Sequence, residues 1–161
     1  MSSRPTPIWL SHHYPDQYDR CVRVGSRHVC RRCFWMYPVA FAIGIAAAAG
    51  YELPSPWSQL VLVLFPLPAL VEFVGEHRGL WDYTPTRHAV LSFLQGIGVG
   101  VGFGRYLDNH TDLWWWGIGT LYSLIALAAA LTGKRPDDRT ADDHTVVAID
   151  EGGERPSPDE P

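Results

Sequence analysis

Four apolar runs, Phe34 to Tyr51, Trp57 to Val74, His88 to Leu107 and Leu113 to Thr132, are set apart by short charged clusters. Each is about as long as a helix must be to cross a hydrocarbon core of roughly 30 Å. Runs that are apolar all round leave no polar face for water, so four of them point to lipid rather than to an amphipathic soluble bundle. A soluble bundle of buried helices is the competing reading, and the short first run, with Pro38 near its start, keeps it open. The near-zero mean hydropathy of the whole chain conceals this pattern. It averages a polar segment (1–33), an apolar block (34–133) and a charged tail (134–161). The expected fold class is all-α: an integral membrane bundle of about four transmembrane helices with a short Cys/His-rich N-terminal segment and a disordered acidic tail. About thirty polar residues precede the first run, which argues against a cleavable signal peptide.

Charge placement sets the expected orientation. Of 13 Lys and Arg, Arg4, Arg20, Arg23, Arg27, Arg31 and Arg32 precede the first run, Arg78 and Arg87 lie between runs two and three, and Lys134, Arg135, Arg139 and Arg155 follow run four. Only Arg105 falls near the other side. The positive-inside rule then puts both termini and the 78–87 loop in the cytoplasm of a multi-pass protein of the cell membrane. Glu52 and the stretch Asp108 to Asp112 face outward, with Tyr106 and Trp114 to Trp116 at the level of an aromatic belt. Asn109, His110 and Thr111 form an N-x-T sequon on that face, usable only in a host that glycosylates. The tail after Thr132 holds nine of the 17 acidic residues and too few apolar ones for a core, so disorder is expected there. An acidic tail and a single Lys beside twelve Arg would also suit a halophile's cytoplasm.

All three cysteines fall in one basic segment, "SHHYPDQYDRCVRVGSRHVCRRCFWMYP". Cys30 and Cys33 form a C-x2-C, the spacing at which a tight turn aims two thiolates at one ion, and His12, His13 and Cys21 offer the ligands that would complete a zinc tetrahedron, with His28 as a spare. Arg20, Arg23, Arg27, Arg31 and Arg32 surround the thiols and are expected to lower their pKa values. Thiolate serves metal binding and disulfide exchange alike, so charge does not separate a zinc-like site from a redox pair at Cys30 and Cys33. A cytoplasmic location and an odd number of cysteines favour the metal.

With these residues in place the chain resembles the domain of unknown function 2085 family of small prokaryotic membrane proteins. Its pattern of a Cys-His pair, a middle step and "CxRC" entering the first helix is matched by His12 and His13, by Asp19 to Cys21 and by Cys30 to Cys33. Pro68 to Glu72 and the glycine-rich stretch from Gly96 to Gly104 match later family features, and the likeness spans roughly residues 10 to 130. His12 stands where the family has its first Cys, Cys21 where a hydroxyl residue is commoner, and the glycine after "CxRC" is missing. The "STN" step before the third helix is only loosely echoed by Thr84 to His88. The resemblance implies a ligand set shifted toward His13, Cys21, Cys30 and Cys33, with His12 as a substitute. It implies fold and topology but no reaction, since the family has no settled activity.

Within the apolar block, Glu72 and Glu76 share a helix face at the inner end of run two. They are weak candidates for proton or ion handling, for catalysis beside a metal-bound water, or for structural pairing with Arg78 or Arg87. "FPLP", Phe65 to Pro68, is expected to break run two, a feature of some small transporters and of many purely structural helices. Gln95 is expected to hydrogen-bond between helices. "GIGVGVGFG" is no phosphate loop, because it lacks a strand and a Walker lysine; Gly96, Gly100 and Gly104 have the four-residue spacing that lets membrane helices approach, with self-association as a further option. The expected function is therefore a multi-pass membrane protein that binds a zinc-like ion through His12, His13, Cys21, Cys30 and Cys33. A membrane thiol-disulfide oxidoreductase, a partner-binding subunit and a small transporter are the alternatives. Nucleic acid is not an expected partner, since the basic segment sits beside a bilayer whose anionic headgroups suit it better.

Overall fold

The computed structural model of the chain describes Pro7 and residues 15–133. His12, His13 and the tail after Gly133 lie outside the described residues. A 3-10 turn, Pro15–Arg20, leads into a two-stranded antiparallel hairpin, β1 (Cys21–Val24) and β2 (Arg27–Cys30). Its two-residue turn needs a positive φ, and Gly25 supplies it at 60°. Five helices follow: α1 (Arg31–Ala48), α2 (Trp57–Leu64), α3 (Leu67–His77), α4 (Pro85–Asp108) and α5 (Leu113–Thr132).

The break at Phe65–Pro66 divides run two as expected. The Val63 carbonyl beside the break accepts a hydrogen bond from the Tyr122 hydroxyl of α5 at 2.9 Å, so a neighbouring helix satisfies an acceptor at the interruption. The α2–α3 pair taken as one 21-residue span, together with α4 and α5, are long and apolar enough to cross a membrane. α1 starts three residues earlier than the first run and takes in Arg31 and Arg32, which lowers its apolar content.

The bundle closes around α4. Its five alternating glycines serve two seams. A Cβ at Gly96, Gly100 or Gly104 would meet α1 at Met36, Ala40 or Ala47, at 2.6, 2.8 and 2.6 Å, whereas one at Gly98 or Gly102 would meet Pro66 or Trp115 at 2.6 and 2.5 Å. The four-residue spacing thus sets the α1–α4 approach, and the two glycines between belong to the opposite face. α5 lies at the edge, with 6 % of its apolar window buried. Leu121, Leu124, Leu127 and Leu131 are all exposed on it.

Candidate functional site

The described site residues gather at one end of the bundle, where the hairpin meets α1, α3 and α4. Cys21 and Cys30 face each other directly across the hairpin, and both are buried. Cys30 is also the residue that precedes the first turn of α1. Cys33 lies three residues on, half-buried, with a thiol that hydrogen-bonds with Cys30. Arg31 secures this junction, its Nη2 donating to the Cys21 and Asp19 carbonyls at 3.1 and 3.3 Å. His28 stacks on Tyr18 with ring centroids 4.0 Å apart.

The acidity expected of these thiols is reversed at Cys21. Burial, with Cys30 and Asp19 nearby, pushes its pKa up to about 11, and Arg31 only partly offsets this. Desolvation outweighs the guanidinium because a thiolate loses more hydration here than one flanking charge returns.

Beside the thiols lies a second cluster, of which the two carboxylates and Arg87 were singled out from sequence. Glu72 and Glu76 stand one turn apart on α3, each 3 % exposed. Both Glu72 oxygens are engaged. Oε2 accepts from Arg32 Nη2 at 3.0 Å, and Oε1 lies 3.2 Å from His88 Nδ1 and 3.6 Å from Arg87 Nε. Arg32 Nε also donates to His88 Nε2 at 3.3 Å. With Nε2 accepting from Arg32, Nδ1 is the ring nitrogen left to donate to Glu72. Glu76 pairs with Arg20, whose guanidinium stacks over the Tyr83 ring at 4.9 Å. The Glu72 partner foreseen among the loop arginines is Arg87; Arg32, from the far side of α1, is the closer one. The Gln95 Oε1 expected to bond between helices is buried without a hydrogen-bond partner among the described residues.

Ligand atoms of Glu72, Glu76 and His88 all lie within 4.8 Å of one another, a separation open to a metal ion. The surrounding charge opposes that use. Arg20, Arg32 and Arg87 already answer the two carboxylates, and the Nε2 lone pair of His88 is taken by Arg32. A cation here must displace guanidinium groups, so the cluster works as an ion-pair clamp between the hairpin and the bundle. Sequence reading missed Arg20, Arg32 and His88 as members. The one local signal was His88, a histidine at the start of an apolar run, since ionisable groups there need partners.

Comparison with protein-family models, with curated proteins and with solved structures finds no match to this chain.

Proposed function

We propose that the chain is a four-span membrane protein with both ends in the cytoplasm, carrying a thiolate knuckle under the bundle that binds zinc or a similar ion. The observation that carries this reading is the pairing of Cys21 with Cys30 across the hairpin, with Cys33 three residues into the same junction. The hairpin pairing and the start of α1 place three cysteines of a thirteen-residue stretch at one junction, and in this reading His13 or His12 supplies a further ligand. α1 is the fourth span. Its 18 residues cover about 27 Å at 1.5 Å per residue, with Arg31 and Arg32 at its inner end.

The ion's role in this reading is structural. A segment of some twenty residues has too little apolar surface for a core of its own, and metal binding gives it folding free energy. The arginines preceding two of the ligands, Arg20 before Cys21 and Arg32 before Cys33, are the ones that pair with Glu76 and Glu72. Loading the knuckle therefore also fixes the cytoplasmic ends of α3 and α4. Membership of the domain of unknown function 2085 family is proposed on the N-terminal motif alone. The oxidoreductase alternative is disfavoured by the proposed cytoplasmic placement of the thiols and by their odd number.

Elemental mass spectrometry with thiol counting on the detergent-purified protein tests the reading. About one zinc per chain is expected, lost in a Cys30→Ser/Cys33→Ser variant. Metal-free protein with an oxidised cysteine pair would overturn it in favour of redox chemistry.

A further inference from the structure

Near the inner end of the bundle, α3 and α4 leave a groove of about 470 Å³ between them. Leu67, Val71 and Leu91 wall it, and Trp81, Arg87 and Glu72 close one end. Val71 is 51 % exposed and Leu67 38 %, so the groove opens on the face that the four-span reading gives to lipid.

The closed end carries unanswered positive charge. Among the described residues of the cluster, three guanidiniums, of Arg20, Arg32 and Arg87, meet two carboxylates, of Glu72 and Glu76, so cations outnumber anions there. Arg20 and Arg32 make the close pairs, whereas Arg87 stands 3.6 Å from Glu72. Its Nε is buried with no hydrogen-bond partner among the described residues, and its Nη2 donates to the Asp82 backbone carbonyl rather than to a carboxylate. The surplus therefore falls on Arg87, whose side chain is 36 % exposed and lies 6.0 Å from the Trp81 ring centroid. Leu91 sits four residues further into the bundle, about 6 Å along α4. Passing from Arg87 to Leu91 thus crosses from a cationic, indole-bearing rim to hydrocarbon walls in the direction a bilayer lipid runs from headgroup to tail.

We propose that this groove seats an anionic phospholipid of the inner leaflet, with its phosphate against Arg87 and one acyl chain along Leu67, Val71 and Leu91. A neutral isoprenoid ring compound would fill the walls and leave the guanidinium unanswered. Inorganic phosphate would do the reverse. A basic pocket between helices at the cytoplasmic boundary is where such lipids are held. The inference rests on the bilayer placement proposed above and is independent of the ion at the cysteines.

Native mass spectrometry of the full chain in detergent, titrated with phosphatidylglycerol and with phosphatidylcholine of the same acyl chains, reads the site. Wild type is expected to hold the anionic lipid about five-fold more tightly, the effect of one arginine at the membrane surface. Arg87→Gln should remove the preference, and Arg78→Gln, in the adjoining loop but outside the groove, should retain it. Val71→Trp fills the groove from an exposed position with Arg87 untouched, and should lower binding of both lipids at this site, so the proposal stays testable even where Arg87→Gln folds poorly. Equal affinities in wild type, a preference that survives both groove variants, or one lost equally in Arg78→Gln would overturn the proposal. A protein that needs no detergent and ignores vesicles of either lipid would overturn the bilayer placement itself.

Discussion

The two ends of the bundle both carry arginine–carboxylate pairs, and they use them differently. At the hairpin end, Arg20, Arg32, Arg87 and His88 converge on Glu72 and Glu76 from the hairpin, α1 and α4, and the pairs join residues 56 and 40 positions apart. At the opposite end, Arg105 and Asp112 are seven residues apart and meet through two hydrogen bonds, at 3.3 and 2.5 Å, with Ser58 accepting from Arg105 Nη1 at 2.8 Å. Asp112 also caps α5 through the Trp115 amide at 2.7 Å. The hairpin-end pairs hold together elements distant in sequence, whereas the opposite pair mainly turns the chain from α4 into α5. Packing follows suit. The opposite end opens into a cavity of about 490 Å³ bordered by Tyr51, Glu52, Ser55, Arg105 and Asp108, while the carboxylates of the hairpin end are almost wholly enclosed.

The largest expected effect that sharpens this contrast is at Glu72. Glu72→Ala strands Arg32 and Arg87 beside an apolar wall, and removing one partner of a buried pair costs about 3–5 kcal/mol. Equilibrium unfolding in detergent measures it, and a loss no larger than that of Asp112→Ala would erase the distinction between the ends. Asp112→Ala removes a helix cap and a mostly local pair, with an expected cost of about 1–2 kcal/mol. Asp112→Asn, which still caps, should recover part of that.

The smallest effect is in acid. Burial alone would raise the Asp112 pKa, but hydrogen bonds from Arg105 and from the Trp115 amide prevail and hold the carboxyl below its ordinary value. A depressed carboxyl stabilises the fold above its unfolded pKa of about 3.9 and loses that contribution as pH falls through the lower folded value. The stability difference between wild type and Asp112→Asn should therefore be level from about pH 5 to pH 8 and shrink below about pH 4. A difference that grew on acidification would contradict the pairing.

Much of the architecture was legible in local pattern. Run four coincides with α5, the "FPLP" break falls at Phe65–Pro66, and Gly96, Gly100 and Gly104 line one seam. These features depend on side-chain size, hydropathy and backbone chemistry within a few turns, which sequence displays directly. Boundaries moved where polar residues join helices. α1 begins at Arg31 rather than Phe34, because both arginines find partners that let them stay helical at the edge of the apolar run.

The site was legible by halves. Spacing marked Cys21, Cys30 and Cys33 as a group, and a helical interval marked Glu72 and Glu76. Neither revealed that the arginines beside the cysteines close on those glutamates, because that depends on how the hairpin docks beneath α3 and α4. The same docking buries Cys21, so that desolvation overrides the charges sequence places around it.

What the sequence by itself determined is the set of apolar segments, the helix break and the glycine seam, all of which follow from composition and periodicity along the chain. Only the tertiary structure decided which charges answer which and how acidic the Cys21 thiol is. Electrostatic free energy depends on distance and burial in space, and neither is written in the order of residues.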